Sequence, residues 1–560
     1  MRKSLLIPFP IIALVVLCFT ISADEGMYPL TELGKLNLKA KGLKIDVKEI
    51  YNPDGTSLVQ AICQVGMGNS GGTGEFVSAD GLILTNHHIA FPAVTAASTP
   101  EKDYLKNGFT AFTREEEILA RDYTCRIIES MRDVTGEVMA GILQDMPPVE
   151  RAESIREKMN AIAREEEKRR EGVSCEVSEM FPARSYVLFT YRVIRDVRLV
   201  YVPPLGVGNF GGETDNWVWP RHTADFSFLR AYVAPDGSPA PYAKENVPFK
   251  SKRFIRVSRK GVREGDFVMI LGYPGRTYRH KTSHFLRIQE EFQLPILSRR
   301  YDWMISVMER AGEGDRARQL KFADDIKSYA NATKNYKGKM QGLKRLRLVA
   351  EREKEERDLQ AFIDADPGRK AKYGTVLDNI GGVYERYRHT LMQELVHTFL
   401  GRNRLLTMAV VLLRAAGDTD RLAREHGKQQ LARIFDETDI PVETSFLARS
   451  LVEIADLSPD QRFVTTVDVP ASSVRNREEQ VAEQITADLA GGIFTEREKL
   501  LSAVNLSREN LKTAGGTLLR IAEDYLRAGE EIRKRRLARE GELNRLESAL
   551  LEVKMLWKKQ

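Results

Sequence analysis

Cysteine is scarce, four in 560 residues, too few for a disulfide-built scaffold. Cys18 falls in an N-terminal apolar run, which leaves Cys63, Cys125 and Cys175. In that odd set at most one pair can close within the chain, Cys125 with Cys175 for instance, and three buried thiols is the alternative. Long apolar runs are missing too: beyond the N-terminus nothing approaches the roughly 20 residues of a membrane span. Neither sign of charge dominates, with 85 Lys and Arg against 79 Asp and Glu, a net +6. No concentrated basic stripe of the kind that holds nucleic acid is present. No fixed-period repeat or low-complexity segment occurs, and the 42% hydrophobic content suits a large core shared by two or more domains.

What is there begins with Arg2 and Lys3, an apolar run from Leu5 to Phe19, and Ile21-Ser22-Ala23 before Asp24-Glu25. This is the pattern of a secretory signal peptide cut near Ala23. The mature chain is expected in the periplasm or secreted, free of the membrane after cleavage, and Leu17 ahead of Cys18 argues against lipidation. Residues 24–281 are rich in β-branched and aromatic residues punctuated by Gly and Pro, with strands expected from about Ile62 to Leu84 and from about Ser185 to Pro274. Between them, residues 114–170 carry strong helix formers at helical spacing and predict a helical excursion. Residues 282–560 read as an all-α domain. Its last section, 505–560, alternates charge heavily, with Glu530 and Arg533 placed i,i+3; packing within the domain is one reading and a homodimer arm the other.

Two segments carry chemistry. Gly74-Glu75-Phe76 to Thr85-Asn86-His87-His88 reads as two short strands around a turn that deliver a histidine pair, as a chymotrypsin-like barrel presents its base. His88 matches the base position, and His87 is expected on the opposite side. Asp225, opening the apolar run Phe226-Ser227-Phe228-Leu229, is the carboxylate to orient it, while Asp215 sits in a turn-like stretch. The chain order His, Asp, Ser suits a hydrolase with a nucleophile, a base and an orienter, but no nucleophile follows Asp225. His280 and His284 share a helix face, yet no third ligand follows and Arg276, Arg279 and Lys281 surround them, so no metal is expected.

Five ordered segments together resemble one family. They are Gly26-Met27-Tyr28-Pro29-Leu30, Thr73-Gly74-Glu75 with its His pair, Phe210-Gly211-Gly212-Glu213-Thr214-Asp215-Asn216-Trp217-Val218-Trp219-Pro220-Arg221-His222, Gly272-Tyr273-Pro274-Gly275-Arg276, and Asn331-Ala332-Thr333-Lys334-Asn335-Tyr336. They resemble the bacterial dipeptidyl-peptidase 7 and 11 family, exported serine exopeptidases that release N-terminal dipeptides. The resemblance implies an α+β fold: a chymotrypsin-like β-barrel, the first of a double-barrel peptidase, with a large all-α domain. It implies His88 as base, Asp225 as orienter, and Asn216, Trp217 and Asn331 as the holders of a substrate ammonium. Asn carbonyls and an indole face suit such a group. It also implies no cofactor, and oligopeptides with a free N-terminus as partners.

The departures are as informative. The family's Gly-Asn-Ser-Gly-Ser-Pro nucleophile segment has no counterpart after position 340, and Ser70, in Gly68-Asn69-Ser70-Gly71, is a weak substitute because it precedes the base. Many relatives place cysteines where Gly72 and Ile89 stand, so packing must replace that staple. A non-catalytic peptide-binding remnant of the family is one alternative reading, and a trypsin-like endopeptidase another.

Overall fold

The computed structural model describes residues 27–68, 71–143, 145–170, 172–275, 277–416, 420–471, 473–474 and 476–558. The signal-like segment with Cys18 lies outside them, as does Ser70. One eleven-stranded antiparallel sheet contains β1 (Ile62–Met67), β2 (Gly72–Phe76), β3 (Leu82–Thr85), β4 (Phe109–Thr110), β5 (Ile118–Leu119), β6 (Tyr123–Asp133), β7 (Val173–Phe181), β8 (Ser185–Ile194), β9 (Asp196–Val202), β10 (Ser227–Val233) and β11 (Val247–Pro248). Side chains alternate across a strand, and β10 obeys: Ser227, Leu229 and Ala231 are buried, with Phe228 and Arg230 less so.

The strand β8 runs into β9 across the single residue Arg195. Because β8 pairs with β6 while β9 pairs with β10, the order β1, β2, β3, β10, β9/β8, β6 returns to β1. The sheet therefore closes into a barrel, which removes its open edges. Cys63, Val65, Phe76, Ile83, Leu199 and Leu229 fill the interior. Beyond the barrel wall, β7 and the outer parts of β6 and β8 form a hairpin covered by a helix, with Val138, Ile155 and Tyr186 between them.

The helices that matter below are α1 (His87–Ala97), α2 (Pro148–Arg169), α3 (Leu294–Ala311), α4 (Arg316–Arg345), α5 (Val376–Leu400), α6 (Arg404–Ala416), α7 (Ile440–Ala455) and α8 (Arg508–Trp557). Local chemistry sets their ends: Asp315 Oδ1 accepts the Arg318 N–H at 3.0 Å to cap α4, and Lys344 and Arg345 occupy its last turn, where cations oppose the helix dipole. Two large apolar clusters hold the helical part together. The charged stretch at 505–560 becomes α8, kinked at Gly516 with φ +55°, and it doubles back onto α2. Arg156 Nη2 donates to Glu540 at 2.8 Å and Arg151 Nε to Asn544 at 3.2 Å. Gly541 crosses Pro148 so closely that a Cβ there would stand 1.8 Å from the Pro148 carbonyl oxygen. Among the described residues no helix is long and apolar enough to cross a membrane.

The α+β class and the barrel are as expected, and two local readings need correction. Among the described residues of 114–170, helix is confined to a short 3-10 turn at Arg114–Glu116, Thr135–Met139 and α2, and Tyr123–Asp133 is a strand instead. Tyr123, Cys125 and Ile127 supply buried positions two apart on that strand, a period that charged neighbours masked. Regular strand also stops at Pro248: residues 249–282 run without it, leaving Val257, Val262, Val268 and Ile270 exposed beside Gly261 and Gly265 at positive φ. The backbone of that segment meets the barrel through isolated bonds, such as the Ile255 N–H to the Phe76 carbonyl at 2.8 Å, and forms no regular ladder there. Of the two readings left open for the cysteines, three buried thiols holds: Cys63, Cys125 and Cys175 are all free and buried. The strand β8 lies between Cys125 and Cys175, and Cys175 Sγ donates to Thr190 Oγ1 at 3.7 Å, so the Cys125–Cys175 pairing is not made.

Candidate active site

The base candidate sits where a strand gives way to a helix. Thr85 ends β3 with its Oγ1 donating to the Thr73 carbonyl at 2.8 Å, Asn86 stays extended as the N-cap, and α1 starts at His87. The first N–H groups of a helix have no partner within it. One of them, the His88 N–H, donates to Asp225 Oδ1 at 3.0 Å, and the other carboxylate oxygen meets His88 Nδ1 at 2.8 Å. Asn86 Nδ2 donates to the Asp225 carbonyl at 3.1 Å and reaches Oδ2 at 3.4 Å. A carboxylate at a helix N-terminus is also favoured by the dipole.

Burial alone would raise the Asp225 pKa, but the hydrogen bonds and charge of His88 outweigh it and hold the carboxyl below its ordinary value. The side chain of Asp225 is 19% exposed against 51% for His88. With Nδ1 tied to the carboxylate, Nε2 is the nitrogen left for proton exchange. Among the described residues no serine or threonine hydroxyl is bonded to His88, and Ser70 falls outside them.

His87 is separated from its neighbour by the helix, not by strand alternation. It is 1% exposed, edge-on to Phe91, and lies so close beneath Gly208 that a Cβ there would meet its ring at 2.5 Å. Burial, the largest influence, lowers its pKa to about 4. Its Nε2 has no hydrogen-bond partner among the described residues.

The second group forms on the loop leading from β9 to β10. Asn216 is buried, and its Nδ2 donates to Glu213 at 2.8 Å and to Asn331 Oδ1 at 3.0 Å. The Trp217 indole N–H donates to the same Asn331 oxygen at 3.0 Å. Trp217 itself is 61% exposed, with φ +61°, a left-handed conformation bulky residues seldom adopt. The structure thus brings Asn216, Trp217 and Asn331 into one cluster, and His88 and Asp225 into another, joined by the loop that ends at Asp225. Asp215 closes a four-residue helical turn packed against Gly211, with no bond to His88.

Four residues went without a role in the sequence reading. Asn86 steadies Asp225, and Glu213 accepts from Asn216. Lys327 on α4 pairs with Glu213 and donates to Asn209 at 3.1 Å, while Arg221 Nη1 donates to Asn216 Oδ1 at 3.3 Å. Asn86, Glu213 and Arg221 lie inside the quoted motifs, but nothing in a linear sequence tells which polar side chain turns inward. His280 Nε2 lies 3.8 Å from Glu547 and His284 packs on Gly381. Among the described residues no set of three His, Cys, Asp or Glu side chains is arranged to hold a metal ion.

The Peptidase S46 family model matches residues 23–560. The chain belongs to the Peptidase S46 family. It is 34% identical to the dipeptidyl-peptidase 7 of Capnocytophaga gingivalis, over 79% of this chain and 62% of that protein. It is 36% identical to the Asp/Glu-specific dipeptidyl-peptidase of Porphyromonas gingivalis, over 60% of this chain and 47% of that protein. The chain thus spans about half to three-fifths of the length of these curated relatives. Among solved structures, Porphyromonas endodontalis DPP11 in complex with the dipeptide Arg-Glu superposes with a TM-score of 0.77 at 25% identity, covering 96% of this chain and 78% of that one. A structure of the same protein in complex with substrate superposes at 0.76. Within this S46 chain the motif segments pack on one another: Tyr273 N–H donates to Thr73 Oγ1 at 2.9 Å, beside the strand that leads to the His pair.

Proposed function

We propose that this chain carries the base, its orienter and the amine clamp of a serine-type dipeptidyl aminopeptidase acting on oligopeptides, exported by its N-terminal segment. The observation that carries the reading is the 2.8 Å bond between His88 Nδ1 and Asp225 on the same loop that presents Asn216 and Trp217. In such a reaction His88 Nε2 takes the proton of a serine hydroxyl as it attacks the peptide carbonyl, and returns it to the leaving amine; Asp225 fixes the tautomer and stabilises the imidazolium. The exposed indole face of Trp217 and the amide cluster beside it suit an ammonium group. Glu213, itself paired with Lys327, accepts from Asn216 and holds that amide in place. Anchoring the free amine at a fixed depth makes the site count residues from the N-terminus.

The test is calorimetric titration with a free-amine oligopeptide and its N-acetylated twin, beside a fluorogenic dipeptide assay. The 560-residue chain expressed alone should bind the free-amine peptide, lose binding on acetylation, weaken about tenfold on Trp217→Ala, and release no dipeptide. Equal affinity for both peptides sinks the clamp, and turnover sensitive to a serine-directed inhibitor redirects attention to Ser70.

A further inference from the structure

A cavity of about 390 Å³ lies in the helical part, away from both clusters, lined by α3, α4, the turn from α5 into α6, and α7. Lys327, Asn331 and Lys334 share the α4 face that meets the peptidase loop. Asp325 and Tyr329, four residues apart, occupy a different face of the same helix and turn to the cavity. Its walls are half apolar, from Met304, Tyr329, Phe399 and Phe446, and half charged.

One of the cations along the cavity has no carboxylate partner among the described residues. Three guanidinium groups, Arg300, Arg402 and Arg404, face two carboxylates, Asp325 and Glu443. Arg404 takes both carboxylates, at 2.9 and 3.3 Å. Arg300, whose side chain is 4% exposed, lies 3.2 Å from Glu453, a residue it shares with Arg449. Its Nη2 donates to Ser450 at 2.8 Å and to the Phe446 carbonyl at 3.3 Å, and its Nε has no partner among the described residues. Arg402, at the exposed end, donates to the Tyr301 hydroxyl at 2.7 Å and meets no carboxylate. A buried cation with an unsatisfied donor is costly, and charge-assisted hydrogen bonds from guanidinium to carboxylate are among the strongest available. Burial also lowers the Arg300 pKa, a penalty that an anion beside it would offset.

We propose that this cavity binds a small organic carboxylate, its charge held by Arg402 at the mouth and Arg300 within, its apolar body against Met304, Phe399 and Phe446. A bare phosphate would leave the apolar wall empty and set two or more negative charges near Asp325 and Glu443. A neutral aromatic would leave Arg402 without a carboxylate and the Arg300 Nε without an acceptor. The ligand therefore needs one carboxylate and an apolar body together.

Benzoate is the probe, with benzyl alcohol and inorganic phosphate at matched ionic strength as its two halves, followed by ligand-observed NMR and calorimetry on the full chain. Benzoate should bind saturably and at least tenfold more tightly than either half. Arg402→Gln, an exposed position whose loss spares the fold, should weaken benzoate about tenfold, and Arg402→Lys should restore part of it. Binding of free-amine peptides should be unchanged in both variants, which keeps this test separate from the amine clamp. Equal affinity for benzoate and benzyl alcohol, preference for phosphate, or an Arg402→Gln variant that binds benzoate like the parent chain would each overturn the proposal.

Discussion

At the scale of single residues, two adjacent histidines meet opposite fates. His88 stands half in solvent against a carboxylate, and His87 is sealed under Gly208. The consequence for His87 is a pH dependence of stability. Its folded pKa, about 4, lies below the ordinary 6.5, so the folded state sheds the proton that the unfolded chain binds. The stability it contributes is intact above pH 6.5 and is lost as pH falls toward 4, about 3 kcal/mol in all. Thermal unfolding between pH 7 and 4 should show this loss in the parent chain and much less of it in His87→Phe, which keeps a buried ring but cannot titrate. An unchanged pH profile would mean that other groups govern acid lability. Glu443 has the opposite sign. One guanidinium, Arg404, serves two carboxylates, and burial pushes Glu443 up to about 7. The folded state holds its proton, so its contribution is full below pH 4.5 and disappears as pH rises through 7. Glu443→Gln should flatten the stability profile across that window, measured by urea unfolding at pH 5 and pH 8.

At the scale of elements, the junction of β2 with α1 holds His88 in place without a covalent staple. Ile89, directly after the His pair, lies against Gly72, where an added Cβ would stand 2.4 Å from Ile89 Cδ1 and 3.8 Å from Ile89 Cβ. The second distance matches the mean Cβ separation of a disulfide. The double variant Gly72→Cys/Ile89→Cys should therefore close a bond spontaneously under oxidising conditions and stabilise the chain by about 3 kcal/mol for a loop of that length. A thiol titration and the change in melting temperature on reduction read it out. Gly72→Cys alone should destabilise, because its Cβ collides with Ile89. The same contact helps the turn bearing His88 keep its geometry.

At the scale of the whole molecule, the barrel and the helical part meet at the cluster of Asn216, Trp217 and Asn331. Asn216 and Trp217 come from the barrel's loop, and Asn331 and Lys327 from α4, so neither half builds that cluster alone. The long α8 ties the halves again at the far side through Arg156, Glu540 and Asn544. Much of this was legible in the sequence. The barrel's strands announce themselves by β-branched runs between glycines, and the His pair and Asp225 by the motifs around them. What escaped notice was the strand Tyr123–Asp133, whose charged residues imitate helical spacing, and the irregular segment 249–282, whose apolar residues imitate a strand.

The sequence by itself determined residue types, local periodicity and the order of motifs along the chain, because those depend on neighbours within a few positions. Only the tertiary structure decided which polar groups share a hydrogen bond: Asp225 with a histidine 137 residues earlier, Asn331 with an indole 114 residues away, and Arg300 with a serine 150 residues on. Such pairings follow from barrel closure and helix docking, which sum many weak burial terms over the entire chain and leave no mark at any one position.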